Sequence, residues 1–411
     1  MQIPPDHSDI RIGFPEFLAI IAFMMSLVAM AIDIMLPALH DIGRGLGVAE
    51  VNDTQEIVTV FLVGFALGQL IYGPLSDRHG RKPWLLVGLG VFGLASLLTF
   101  AANNFSVLLF GRFLQGIGVA ATRVIAIAVV RDCYSGAQMA RVMSFVMMVF
   151  IAVPIVAPAL GEGLLQLGSW HTIFLFLVLS AALLATWIAL RLPETLSSEN
   201  RLSLSPSDLL NAYRRVLTTR QSLGYTIAMA LLYSCLMGYI ANAAQIFKDI
   251  YHLGDEFALV FGAIAATMIP AFYSNTHMVD RFGLRISSHS ALLIFLAGST
   301  TLAIWSLLGH PALIPLCLLI SATMFFFSWI FPNFNAIAME PLGSIAGTAS
   351  SFIGFSTTAI SAVLAWLVGQ AFNGSVAPLA LSFVVFSGLA LLAIWLTEHR
   401  RLFGAPVCNG I

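Results

Sequence analysis

From Val58 to Tyr72, and again from Pro83 to Phe110, the chain holds no Asp, Glu, Lys or Arg. Runs of that length read as membrane helices, because about 20 residues are needed to cross a ~30 Å hydrocarbon core. The short charged stretch between them, Gly73-Pro74-Leu75-Ser76-Asp77-Arg78-His79-Gly80-Arg81-Lys82, is therefore expected to be a loop at a membrane face. Gly73 and Gly80 permit backbone angles that other residues resist, and Pro83 suits a helix start. Asp77 can pair with the surrounding cations near the helix ends. Such a clasp could hold two helices in one conformation and release them in another.

The same pattern runs through the chain. Only 9% of the 411 residues are charged and 59% are hydrophobic, a composition foreign to soluble domains and expected of a polytopic membrane protein. Helices are expected at 16–39, 53–74, 83–102, 105–130, 138–162 and 171–190, then at 222–247, 256–276, 286–308, 311–333, 346–371 and 377–397. Turn chemistry marks the breaks at Asn103-Asn104, Gly168-Ser169, Gly254-Asp255, His310-Pro311 and Asn373-Gly374. The fold class is thus all-α, with twelve transmembrane helices in two six-helix bundles. The bundles are placed at 1–195 and 222–411, with a polar linker at 196–221 and a short tail at the carboxy end. Leu204 to Leu210 in that linker reads equally as an amphipathic surface helix or as plain connection. Asp280-Arg281-Phe282-Gly283-Leu284-Arg285 follows the eighth helix as the charged loop follows the second. The repeat implies two parallel halves with a binding site between them.

Cations gather on one side of the expected topology: Arg11, Arg78, Arg81, Lys82, Arg131, Arg141, Arg191, Arg201, Arg214, Arg215, Arg220, Arg281, Arg285, Arg400 and Arg401, against Arg44 and Lys248 opposite. That bias puts both termini in the cytoplasm. The four cysteines are far apart and the nine histidines form no ligand pair, so no metal or cofactor is expected. No nucleophile–base grouping or nucleotide loop points to an enzyme, and no basic groove points to nucleic acid.

Ionisable residues deep in a span are functional candidates. Asp33 stands alone in the first helix, followed by Leu36-Pro37. It reads either as a group that loads and releases a proton or as a helix-end residue near the outer surface. Arg112 and Arg123 share a face of the fourth helix with Gly116. Buried Arg112 needs a partner, and Asp33 is the natural one. Arg123 would favour an anionic ligand, or else reaches the interface or an acidic neighbour. Gln115, Met30 and Met147, with Tyr239, Asn242 and Phe327 from the second half, are candidates for an adaptable cavity wall. Tyr225 belongs to the same candidate wall, although most of these residues suit helix packing equally well. Pro154, Pro158 and Gly161 suggest a bend in the fifth helix. Glu162 is expected to face water, and Glu340 to lie in a loop.

Gly73-x-Leu75-x-Asp77-Arg78-x-Gly80-Arg81-Lys82 resembles the loop 2–3 signature of the major facilitator superfamily at every defining position. Asp33 with Leu36-Pro37, Arg112 with Gly116, and Pro154 to Gly163 resemble the first-, fourth- and fifth-helix motifs of its twelve-helix drug:proton antiporters. In the last of these Ala157-Pro158 replaces the usual Gly-Pro, and Glu162 stands where glycine is common. Arg131-Asp132, Met143 to Met148, Ser169-Trp170-His171 and Ala346 to Ser350 resemble the Bcr/CflA branch, associated with export of bicyclomycin, chloramphenicol and other solutes. The resemblance implies a proton-coupled exporter of a small organic solute, acting as a monomer in the bacterial inner membrane by rocker-switch alternating access, with no cofactor beyond the proton gradient. Asp33 and Arg112 would carry coupling. Gly73, Asp77, Arg78, Gly80, Arg81, Pro154, Pro158 and Gly161 would serve the conformational switch. A dedicated exporter of an acidic or zwitterionic metabolite, or an importer on the same fold, are the alternatives.

Overall fold

The structure, a computed structural model, describes residues 12–48, 50–134, 136–196, 206–254, 256–400 and 402–403. It is all-helical among those residues. Ten helical stretches are long and apolar enough to cross a membrane. One of them, Glu256–Leu308, has 53 residues, which at about 1.5 Å per residue is more than twice the hydrocarbon thickness. It reverses at Gly283, whose φ of 80° interrupts the helical backbone, and so supplies two crossings. The 32-residue helix Gly136–Leu167 completes the set of twelve.

In chain order the helices are α1 (Phe14–Asp33), α2 (Leu39–Gly45), α3 (Glu56–His79), α4 (Arg81–Phe100), α5 (Phe105–Cys133), α6 (Gly136–Leu167) and α7 (His171–Arg191). They continue with α8 (Pro206–Thr218), α9 (Arg220–Ala244), α10 (Glu256–Ala266), α11 (Met268–Leu308), α12 (Leu313–Met339), α13 (Ala346–Gln370) and α14 (Ala377–Thr397).

Two expectations are corrected. The first helix does not run on to residue 39; it stops at Asp33, followed by a 3-10 turn at Leu36–Ala38. Pro37 has no N–H to give the Asp33 carbonyl, so the α-helical pattern ends there. Nor is the charged stretch at 73–82 a loop. α3 continues through Pro74 to His79 and α4 begins at Arg81, so Gly80, at φ 106°, carries the reversal alone. Gly73 is an ordinary helical residue. In the polar connection, Pro206–Thr218 is a helix, and Tyr213 stacks on Phe352 with ring centres 4.8 Å apart.

Contacts gather the chain into two compact units. One runs to Leu210 and takes in residues 255–262; the other comprises residues 211–254 and those from 263 onward. In the first, α5 packs against both α3 and α4, α1 against α6, and α4 against α7. Glycines let these backbones nearly touch. A Cβ on Gly116 would lie 2.1 Å from the Phe61 carbonyl, and one on Gly64 2.1 Å from that of Phe113. In the second unit α9 packs against α12, α13 and α14, and α11 against α12 and α14.

Gly116→Val should therefore separate α3 from α5 and destabilise the protein by at least about 1–3 kcal/mol. A thermal melt in detergent checks this; a melting temperature equal to the parent's would show that the contact is unimportant.

Candidate functional site

Arg112 is the largest wholly buried polar side chain of the first unit. α5 carries it into the space between α1 and α3. Its Nε donates to the Ile57 carbonyl (3.2 Å), Nη1 to Gln115 Oε1 (2.8 Å) and Nη2 to the Ala31 carbonyl (3.2 Å). The Phe61 ring lies 4.3 Å from the guanidinium carbon, within cation–π range. Gln115 is held in turn, its Nε2 donating to Ser96 Oγ (2.7 Å) and to Thr99 Oγ1 (3.4 Å). The amide expected to line a cavity is thus wholly buried and committed to this network.

Asp33 is 2% exposed. No ion pair joins it to Arg112, contrary to expectation, and its buried Oδ1 has no hydrogen-bond partner among the described residues. Neutral oxygens have taken the guanidinium instead. Ala31 lies in the last turn of α1, where carbonyls lack partners within the helix, and Arg112 answers that need. The cation and the carboxyl thus touch the same helix end without touching each other. α6 closes the site from another side: a Cβ on Gly161 would stand 2.0 Å from the Ile34 carbonyl and 3.3 Å from Pro37 Cγ. Pro154 and Pro158 both lie inside α6, so the helix bearing them meets the chain directly after Asp33.

The charged clasp is a network within the first unit. Arg81, its side chain 4% exposed, donates from Nε to Asp132 Oδ2 (2.9 Å) and from Nη1 to Ser76 Oγ (3.0 Å) and to Asp77. Glu194 caps α4, accepting from the backbone N–H of Arg81 (2.8 Å) and of Lys82 (3.1 Å), where a carboxylate also suits the helix dipole. A Cβ on Gly80 would strike that carboxylate at 2.5 Å. Arg78 is exposed and makes no ion pair among the described residues. Glu194 was not identified from the sequence. The available signal was an acid directly after the sixth span, in Leu192-Pro193-Glu194-Thr195.

The second unit repeats the theme. Arg285 donates from Nε to Glu398 Oε1 (2.9 Å) and from Nη2 to Glu340 Oε2 (3.3 Å). Glu340, expected to be a mere loop residue, also accepts from Gln221 Nε2 at 2.8 Å. Tyr225, expected in the cavity wall, instead reaches Glu398. Of the other wall candidates, Met30 is half-buried while Tyr239, Asn242 and Phe327 are buried. Asn242 donates to its own helix at the Gly238 carbonyl (2.8 Å), and Phe327 stacks on Phe331 at 5.6 Å. Half-buried Arg123 lies over the Phe65 ring at 5.7 Å, with no acidic partner among the described residues. The side chains of Met147 and Arg141 lie outside the described residues.

The profile of the Major Facilitator Superfamily matches residues 18–365. The chain belongs to that superfamily. It is 30% identical over 393 residues to a bicyclomycin resistance protein homolog of Haemophilus influenzae, covering 94% of this chain and 97% of the relative. It is 29% identical over 409 residues to multidrug resistance protein D of Escherichia coli, covering 95% and 98%. The crystal structure of the human organic anion transporter MFSD10 superposes with a TM-score of 0.69 at 20% identity, covering 93% of this chain and 99% of that one; it shares the fold. The branch suggested by the motifs is the one these bacterial relatives occupy. The protein is a multi-pass membrane transporter of small molecules and not an enzyme.

Two substitutions separate the roles of the buried pair. Asp33→Asn removes no ion pair, so its melting temperature in detergent should equal or exceed the parent's. Arg112→Lys cannot reach three oxygens and should melt well below it, each abandoned buried acceptor costing about 1–3 kcal/mol. Marked destabilisation by Asp33→Asn would mean that the two groups are paired.

Proposed function

We propose that this transporter exports a small organic drug-like solute across the bacterial inner membrane in exchange for protons, with Asp33 as the proton carrier. The observation that carries the reading is the buried carboxyl at the end of α1, whose Oδ1 has no hydrogen-bond partner among the described residues. Protonated, it is neutral and needs no counter-ion. Once it releases its proton, the nearest compensation is Arg112, whose Nη2 holds the Ala31 carbonyl of the same helix end. Exchanging that carbonyl for the carboxylate would move α1 against α5. α6, packed on Ile34 through Gly161, would feel the displacement. Proton binding thereby biases a two-state element, which antiport requires. The Arg81 clasp would stabilise one of the two states.

The names of the bacterial relatives favour efflux over import, and the cation bias favours both termini in the cytoplasm. The transporter would act as a monomer and draw on the proton gradient, without a bound cofactor. A second reading rests on Arg123: a half-buried cation without an acidic partner among the described residues suits an acidic or zwitterionic solute.

Everted vesicles with an acidic interior test both readings. Neutral or cationic drugs of the bicyclomycin and chloramphenicol type should accumulate, and an uncoupler should release them. Asp33→Asn should abolish accumulation while leaving drug binding intact. Accumulation only of acidic solutes, lost in Arg123→Ala, would favour the second reading. Accumulation that persists in Asp33→Asn would remove Asp33 from coupling.

A further inference from the structure

At one end of the second unit, three titratable side chains from three different segments share hydrogen bonds. α9 and α14 approach so closely at Gly224 that a Cβ there would meet Thr397 Oγ1 at 1.8 Å. The next residue of each, Tyr225 and Glu398, meet with Oη 2.7 Å from Oε1. From α11, wholly buried His289 brings Nε2 to 2.9 Å from the same Tyr225 oxygen. Beyond α14 the chain turns at positive φ through His399 (51°) and Arg400 (68°). This returns Leu402, whose carbonyl lies 2.5 Å from His289 Nδ1. The Phe403 ring centre lies 6.4 Å from that of the imidazole.

The hydrogens can be counted. A carbonyl oxygen only accepts, so Nδ1 must carry a hydrogen to bond Leu402. Two gaps remain, from Nε2 to Oη and from Oη to Oε1. The tyrosine hydroxyl has one hydrogen and fills one of them. The other needs a second hydrogen, either on Nε2, making an imidazolium, or on Glu398, making a carboxylic acid. In both arrangements the set holds one proton more than a neutral imidazole and a free carboxylate would. Arg285 also donates to Glu398 Oε1, which favours the carboxylate and places the proton on His289.

Arg285 pairs with Glu398 and also reaches Glu340, whose side chain is 60% exposed. The other charged groups on the packed segments are engaged elsewhere. Arg220 of α9 bonds His399 and the Leu396 carbonyl, and Arg400 lies over Trp395 at 5.4 Å.

We propose that Tyr225, His289 and Glu398 form a proton-binding site, separate from Asp33, that pins the segment after α14 to the second unit and lets it go as pH rises. When the proton leaves to water, one hydrogen serves two gaps and one contact becomes an opposition of lone pairs. The Leu402 carbonyl then loses a firmly oriented donor. The inference is independent of whether Asp33 couples transport.

Hydrogen–deuterium exchange of the full-length protein in detergent provides the test, with exchange times scaled for the intrinsic pH effect. Between about pH 5 and about pH 8, the range in which a histidine charge turns over, protection of the segment after α14 should fall several-fold. Glu398→Gln keeps the oxygen that accepts from Arg285 and Tyr225 but removes the charge that holds the proton on His289, so protection there should be low and change little with pH. Tyr225→Phe removes the shared oxygen while keeping the ring, and should leave protection low and independent of pH. Flat protection in the parent protein, or a parent-like pH dependence in Glu398→Gln, would overturn the proposal.

Discussion

A guanidinium sealed from water must be met by acceptors on its own terms, and the first unit is arranged around meeting Arg112. No carboxylate among the described residues does so. Two backbone carbonyls, one side-chain amide and one aromatic face answer it, drawn from α1, α3 and α5. Because the acceptors sit on different helices, the cation fixes how those helices pack, and the glycines that bring α3 and α5 into backbone contact make its reach possible. Breaking such an arrangement leaves buried acceptors unmet, at a cost of about 1–3 kcal/mol each.

Charge is handled differently at the helix ends. There Arg81 meets Asp77 and Asp132, and Glu194 caps α4; in the second unit Arg285 meets Glu340 and Glu398. Each half thus ties the start of its third membrane helix to the ends of its fourth and sixth. The second set adds Tyr225 and His289.

Much of this was legible in the sequence because hydrocarbon imposes its own length rule. Charge-free runs such as Pro83 to Phe110 have few alternatives to a membrane helix, and the charged repeat at Asp77 and Asp280 announces two related halves. The ends of elements were harder. Proline at 74 reads as a helix stop, yet α3 runs through it and a single positive-φ glycine makes the turn. Pro37 did end its helix, four residues earlier than its own position. The buried pair was misread for a different reason: side-chain charges are visible in a sequence and backbone carbonyls are not. Complementary charge therefore suggested Asp33 for Arg112, where Ala31 and Ile57 supply the oxygen. Glu194 and Glu398 went unnoticed as site residues because each is a lone acid after a span, informative only once Arg81 and Arg285 are seen beside them.

In the proposed cycle the buried Asp33 carboxyl holds the proton that substrate displaces. The most direct test is proton release on adding substrate to purified transporter in weakly buffered detergent solution, followed with a pH-sensitive dye. The parent protein should acidify the solution on saturation, and Asp33→Asn should bind the same substrate without acidifying it. Equal acidification by both would place the exchanged proton elsewhere and remove Asp33 from the exchange.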